Sequence, residues 1–109
     1  MAKIKLTLDT RKKSKSSTTG LYPIVLRVFH KKPRFIYLSH QTSPEGWDSS
    51  KMKLKKSASA NKDLDVDAIN NNIYDKTYLA QTVIRDIGDA LSLTDVDTLV
   101  KLIKDSWEA

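Results

Sequence analysis

Residues 21–47 read LYPIVLRVFHKKPRFIYLSHQTSPEGW, and this stretch decides the fold. From Tyr22 to His30 the side chains alternate, with Ile24, Leu26 and Val28 on one face and Val25, Arg27 and Phe29 on the other. Arg34 to His40 alternates in the same way: Ile36 and Leu38 share one face, and Phe35, Tyr37 and Ser39 share the opposite one. Both runs are rich in β-branched and aromatic residues, which suit a pleated surface. Lys31-Lys32-Pro33 makes the turn between them, because proline presets φ and blocks pairing there. The aliphatic face is a core face. The other mixes aromatics, a valine, a serine and an arginine. It is too polar for a core and too apolar to be idle, so function is sought there.

Working outward, residues 3–9 form a first strand in which Ile4, Leu6 and Leu8 alternate with Lys3, Lys5 and Thr7. Thr10 to Gly20 carries four cations and a Ser/Thr run and reads as a loop. On the other side, Pro44 and Gly46 break regular structure, and Trp47 reads as a plug over the end of the core. Asp48 to Lys62 is polar and basic and reads as a loop resting loosely on the sheet. A long helix is predicted over about 64–90. Asp63, Asp65 and Asp67 suit the positive end of its dipole, and Val66, Ile69, Ile73, Ala80, Ile84, Ile87 and Leu91 recur at helical spacing. The stripe lapses at Lys76-Thr77, Asn70-Asn71-Asn72 is poor helix sequence, and Gly88 weakens the end. Thr94 then reads as the N-cap of a short helix bearing Val96, Leu99, Val100, Ile103 and Trp107. The expected fold is α+β: a three-stranded antiparallel sheet (about 3–9, 22–30 and 34–40) packed on one long helix, with a short C-terminal helix. That leaves the second face of the sheet open to solvent.

The 109 residues suffice for one domain with one modest core. No run approaches the roughly 18 apolar residues of a membrane span. MAKIKLTL has neither the apolar run nor the cleavage site of a signal peptide. The absence of cysteine removes disulfide scaffolds and cysteine-based zinc sites and fits a reducing cytosol, so a cytoplasmic location is expected. Charge is segregated. Residues 1–60 carry fourteen lysines and arginines against three acids, a net +11, whereas residues 61–109 carry five against ten, a net −5. A basic half built around the hairpin points to a polyanion, nucleic acid before an anionic membrane; a merely lysine-rich solvated surface is the blander reading.

No catalytic constellation appears. His30 and His40 stand at strand ends without acidic or thiol partners at ligand spacing and need no special role. The three glycines are too scattered for a phosphate loop. The acids of DLDVD lack the glycine and terminal glutamate of a calcium loop, so they cap the helix dipole. Neither cofactor nor metal is expected, and no enzymatic activity of this chain.

The chemistry present is that of a DNA-reading sheet. Its open face collects Lys3, Lys5 and Thr7 from strand one, Val25, Arg27 and Phe29 from strand two, and Phe35, Tyr37 and Ser39 from strand three. Arg11, Lys12, Lys13, Lys15, Lys31, Lys32 and Arg34 ring it from the loops. A strand ribbon fits the major groove, an arginine in its middle can pair with guanine O6 and N7, and phenylalanine and valine can meet thymine methyls. Flanking lysines neutralise phosphates. Arg27, with Tyr37 alongside it, is the first choice for base contact. The rival is a protein-interaction module using the same aromatic face, or that face covered by the Lys51–Ala60 loop. RNA stacking on Phe29, Phe35 and Tyr37 is a third reading, disfavoured by the strand-strand-strand-helix order.

Tyr22-Pro23-Ile24, Leu26-Arg27-Val28, the basic turn Lys31-Lys32-Pro33-Arg34 and Pro44-Glu45-Gly46-Trp47-Asp48 resemble the opening domain of bacterial tyrosine recombinases. More narrowly, they resemble integrases of phages and of conjugative or mobilisable transposons that carry an arm-DNA-binding domain. Asn70, Ile73 and Tyr74 are similar to that family's helix pattern, and the resemblance covers about residues 3–100. His40-Gln41-Thr42-Ser43 departs from it, standing where many members have Thr-Gly. The resemblance implies binding of double-stranded arm-type sites during DNA integration and recombination, beside other recombinase subunits in a synaptic complex. It implies residues 1–91 as the arm-type domain and 92–109 as a helix beginning a linker. Catalysis would lie in a further domain holding an Arg/Lys/His/Arg set and a tyrosine nucleophile, which makes this chain a piece of an integrase.

Overall fold

The alternating runs form an antiparallel meander in the computed structural model, which describes residues 2–11, 15 and 20–108, the side chain of residue 60 excepted. Strands β1 (Lys3–Leu8), β2 (Tyr22–His30) and β3 (Lys32–Thr42) lie in the order β1-β2-β3. Ile4 faces Val28, Leu6 faces Leu26 and Leu8 faces Ile24 across the first pair, and Leu26 faces Ile36 across the second. These rows make one aliphatic face, as the alternation requires.

The β2–β3 turn is tighter than expected. Lys31 alone makes it, at φ 69°, and His30 pairs with Lys32. Pro33 lies inside the start of β3, an edge strand, where a missing N–H is tolerated. The shorter turn slides the pairing by two residues, so every side chain keeps its face but takes a new neighbour: Arg27 stands opposite Phe35, not Tyr37. Further along, Pro23 pairs with Gln41 and Val25 with Tyr37, so Leu38, Ser39 and His40 oppose the single residue Ile24. Ser39 takes φ 65° in this bulge.

The segment after β3 is not a loose loop. Ser43 caps a 3-10 turn at Pro44–Gly46: its Oγ accepts from the Gly46 amide at 3.1 Å and donates to Glu45 Oε2 at 3.3 Å. Strands β4 (Trp47–Asp48) and β5 (Lys53–Leu54) form a small hairpin whose Trp47 and Leu54 enter the core. A second 3-10 turn, Ser59–Asn61, buries Asn61.

Helix α1 (Val66–Ile87) begins at Asp65, whose carboxylate accepts from the Ala68 amide, and it buries Val66, Ile73 and Ala80. Gly88, at φ 57°, ends it, and a 3-10 turn (Gly88–Leu93) follows. Helix α2 (Val96–Glu108) is capped by Asp95 rather than Thr94: the Asp95 carboxylate accepts from the Thr98 amide at 2.7 Å, while the Thr94 hydroxyl donates to the Ala90 carbonyl. Expected as the start of a linker, α2 lays Val96, Leu99 and Ile103 into the same core as the sheet and α1. Its Trp107 meets α1 where the apolar stripe lapses, donating Nε1 to the Lys76 carbonyl at 2.9 Å. Among the described residues, no helix is long and apolar enough to cross a membrane.

Candidate nucleic-acid interface

The sheet's second face carries three cross-strand rows: Thr7–Val25–Tyr37, Lys5–Arg27–Phe35 and Lys3–Phe29–Pro33. Helices and the β4–β5 hairpin pack on the other face. Phe29, Phe35 and Tyr37 are 38%, 44% and 54% exposed, and Lys3, Lys5 and Arg27 are exposed beside them. The residues 51–59 therefore leave the aromatic face open.

Arg27 projects from the middle of the central strand, held by ladder partners on both sides. Its guanidinium carbon lies 5.7 Å from the Phe29 ring centroid. A cation over an aromatic face is partly oriented before any ligand arrives.

Val25 is a correction. It is fully buried but belongs to no part of the helix-side core. A short side chain at the centre of the central strand, between Thr7 and Tyr37 in its row, lies below its neighbours and cannot reach a thymine methyl. Thr7 is half-buried in the same row, and Ser39 is exposed on the bulge.

Arg11 reaches the face by a route the sequence did not show. Asp9 is buried and its amide donates to the Pro23 carbonyl at 2.9 Å. Arg11 then forks onto the Asp9 carboxylate, Nε to Oδ1 at 2.8 Å and Nη2 to Oδ2 at 2.7 Å, and its guanidinium sits 5.5 Å from the Phe35 ring centroid. The Asp9 hydrogen bond raises the arginine's already high pKa. Lys15 is exposed, its ammonium 5.8 Å from the Tyr22 ring centroid. Lys12 and Lys13 lie outside the described residues.

The hairpin-tip cations go elsewhere. Lys32 and Arg34 fall in the rows of His30 and Val28, which belong to the helix side. Arg34 Nε pairs with Asp97 of α2 at 2.9 Å, and Lys31 Nζ donates to the Ser92 carbonyl at 2.8 Å. Between them His30 is buried, its Nε2 lying 2.9 Å from the Leu91 carbonyl and 2.8 Å from that of Thr94. Two acceptors at one nitrogen require it to carry the proton. The turn thus fastens the sheet to the C-terminal segment instead of ringing the open face.

Sequence reasoning missed the turn at residues 49–52. Ser49, Ser50 and Met52 close a hollow with Lys3, Lys5 and Arg27 at the β1 edge of the face. The signal was Asp48 followed by two serines, an Asx-turn sequence. It also missed the asparagine run. Asn70 fastens β5 to α1, its Oδ1 accepting from the Leu54 amide at 2.8 Å, and Asn72 Oδ1 lies 2.9 Å from His40 Nε2. Among the described residues, no group of three histidines or acids gathers as a metal site.

The arrangement is a one-sided sheet with a central arginine, flanking lysines and aromatic rings, which suits a polyanion whose edge can be contacted in the plane of the sheet. No curated protein and no solved structure matches the chain. A family profile does, over residues 6–100, and its description is the Arm DNA-binding domain, a non-catalytic DNA-binding module found in tyrosine recombinases and integrases: this chain belongs to that family and binds DNA.

Proposed function

We propose that this module reads arm-type sites of a mobile element for a tyrosine recombinase, with the open face of the sheet seated in the major groove of double-stranded DNA. Three strands spaced about 4.8 Å apart make a ribbon about 10 Å across its backbone, against a groove about 12 Å wide. The observation that carries the reading is the Lys5–Arg27–Phe35 row, exposed and central on a face that the helices leave free. Arg27 contacts a base, with Tyr37 second. Phe29 and Phe35 meet base edges or sugar, and Lys3, Lys5, Thr7, Arg11, Lys15 and Ser39 contact the backbone. The parent protein carries catalysis elsewhere, and other recombinase subunits share its synaptic complex during integration.

Selection of bound sequences from a random duplex library, followed by titration of the selected site at several salt concentrations, tests this. About five phosphate contacts give a slope of log K against log salt of roughly −4 to −5. A slope near zero would favour the rival, an aromatic protein-interaction face.

A further inference from the structure

We infer that the hollow at the β1 edge is a phosphate-binding notch that holds one backbone phosphodiester of the DNA and so fixes which way round the module sits on the duplex. This rests on the DNA-binding reading of the open face. The hollow is lined by Lys3, Lys5, Arg27, Ser49, Ser50 and Met52 around Ile4, with no acid among the described lining residues. Lys3, Lys5 and the Ser49 hydroxyl supply the donors, since the Ser50 hydroxyl is already given to Asp48 and Arg27 borders the hollow from the reading row. Lys3 and Lys5 leave the same face of β1, and Arg27 stands next to Lys5 across the ladder. The serines come from a different element, so the notch exists only because the β4–β5 hairpin is folded against the sheet.

That hairpin turn is built in advance. Asp48 Oδ1 accepts from the Ser50 amide at 3.1 Å, the Ser50 hydroxyl at 2.7 Å and the Lys51 amide at 3.1 Å. The adjoining acid in sequence, Asp48, thereby has its Oδ1 engaged within the turn and does not line the notch. Met52 takes φ 55°, which turns the chain back into β5. Ser49 is exposed.

The opposite edge of the face differs. The hollow beside β3 is lined by Pro23, Tyr37, Gln41 and Leu64 among others, with no lysine or arginine among the described residues. A major groove has a phosphate wall on each side, and a sheet seated in it brings one edge to each wall. Among the described residues the β1-edge hollow is lined by lysines and the β3-edge hollow is not, so the two orientations of the sheet in the groove are not equivalent.

Ser49 permits a direct test, being exposed and outside the sheet. On the selected duplex, Ser49→Glu weakens binding and Ser49→Arg strengthens it, each by roughly fivefold, the effect of one unit charge about 4 Å away in water. The duplex is then remade with single neutral methylphosphonate linkages, one position at a time. The notch predicts one linkage, on one strand only, at which the spread between the two variants collapses while the other linkages preserve it. A spread that persists whichever linkage is neutral overturns the notch. The sheet-face reading would survive that result if Arg27→Ala still relaxes sequence preference. If the parent chain binds no duplex at all, both readings fall together.

Discussion

Thr42 Oγ1 donates to Asn61 Oδ1 at 2.6 Å, and both residues are sealed from solvent. The Asn61 amide donates in turn to the Gly46 carbonyl at 3.0 Å and the Lys55 carbonyl at 2.9 Å. One buried side chain therefore ties the end of β3 to the 3-10 turn and to the hairpin that carries Trp47 and Leu54. Gly46 must be glycine for a packing reason: a Cβ there would collide with Thr42 Oγ1 and stand 2.9 Å from Asn61 Nδ2.

Gly46→Ala is therefore expected to destabilise the fold by about 2–4 kcal/mol, because the atoms in the way are buried and mutually bonded. Thr42→Val, which leaves the Asn61 carbonyl oxygen buried without its donor, should cost about 1–3 kcal/mol. Urea unfolding followed by tryptophan fluorescence measures both. A parent-like midpoint for Gly46→Ala would mean that the turn can open without loss.

Arg27→Ala should cost about 1–3 kcal/mol on the selected site and much less on random duplex, so that preference relaxes. Competition binding with the two DNAs separates these. Equal losses on both would make Arg27 a backbone contact rather than a reading residue.

His30→Phe keeps a ring of similar volume but removes the proton shared between the Leu91 and Thr94 carbonyls. A loss of about 1–3 kcal/mol is expected. Amide exchange should then quicken in residues 88–95 and at the β2–β3 turn together, since His30 joins them. Faster exchange in only one of the two would show that they are not coupled through this ring.

Two carboxylates contribute to the acid limit. The Ser50 hydroxyl, with the Lys51 amide behind it, holds Asp48 below the ordinary aspartate value, and the Thr98 amide does the same for Asp95 at the cap of α2. Both folded-state pKa values are depressed. Their contribution is thus complete above the unfolded-chain value of about 3.9 and is lost as pH falls through the lower folded values. Thermal melts from pH 6 to pH 2 should show the decline below about pH 4. Asp48→Asn with Asp95→Asn should flatten it.

The hairpin was legible because alternation with β-branched and aromatic residues leaves few other solutions, and Ile24, Leu26, Val28, Ile36 and Leu38 all reach the core. The register was not legible. It depends on whether one residue or three make the turn, and Lys31 adopts a left-handed φ that its side chain gives no hint of. Val25 sits on the expected face, yet its burial depends on the height of its neighbours, which no periodicity encodes. The residues 48–62 looked like a loop because Trp47, Leu54 and Asn61 are too far apart for either period. What unites them is a network of side-chain to backbone bonds that closes only in three dimensions. Asn70 looked like a flaw in a helix for the same reason: its worth lies in the Leu54 backbone it meets.

The two faces of the sheet also separate two kinds of inheritance. Leu26 and Arg27 are adjacent in sequence, but one is buried in the core and the other is exposed on the open face. Substitution at Lys5, Arg27, Phe29, Phe35 or Tyr37 changes what the face offers without touching a row of the helix-side core, because the register is pinned by the Lys31 turn and the Ser39 bulge. Relatives of this chain can therefore drift apart in the surface they display while their folding free energy stays nearly fixed. Respecification by design can use the same five positions, with Val25 left alone as the filled centre of the grid.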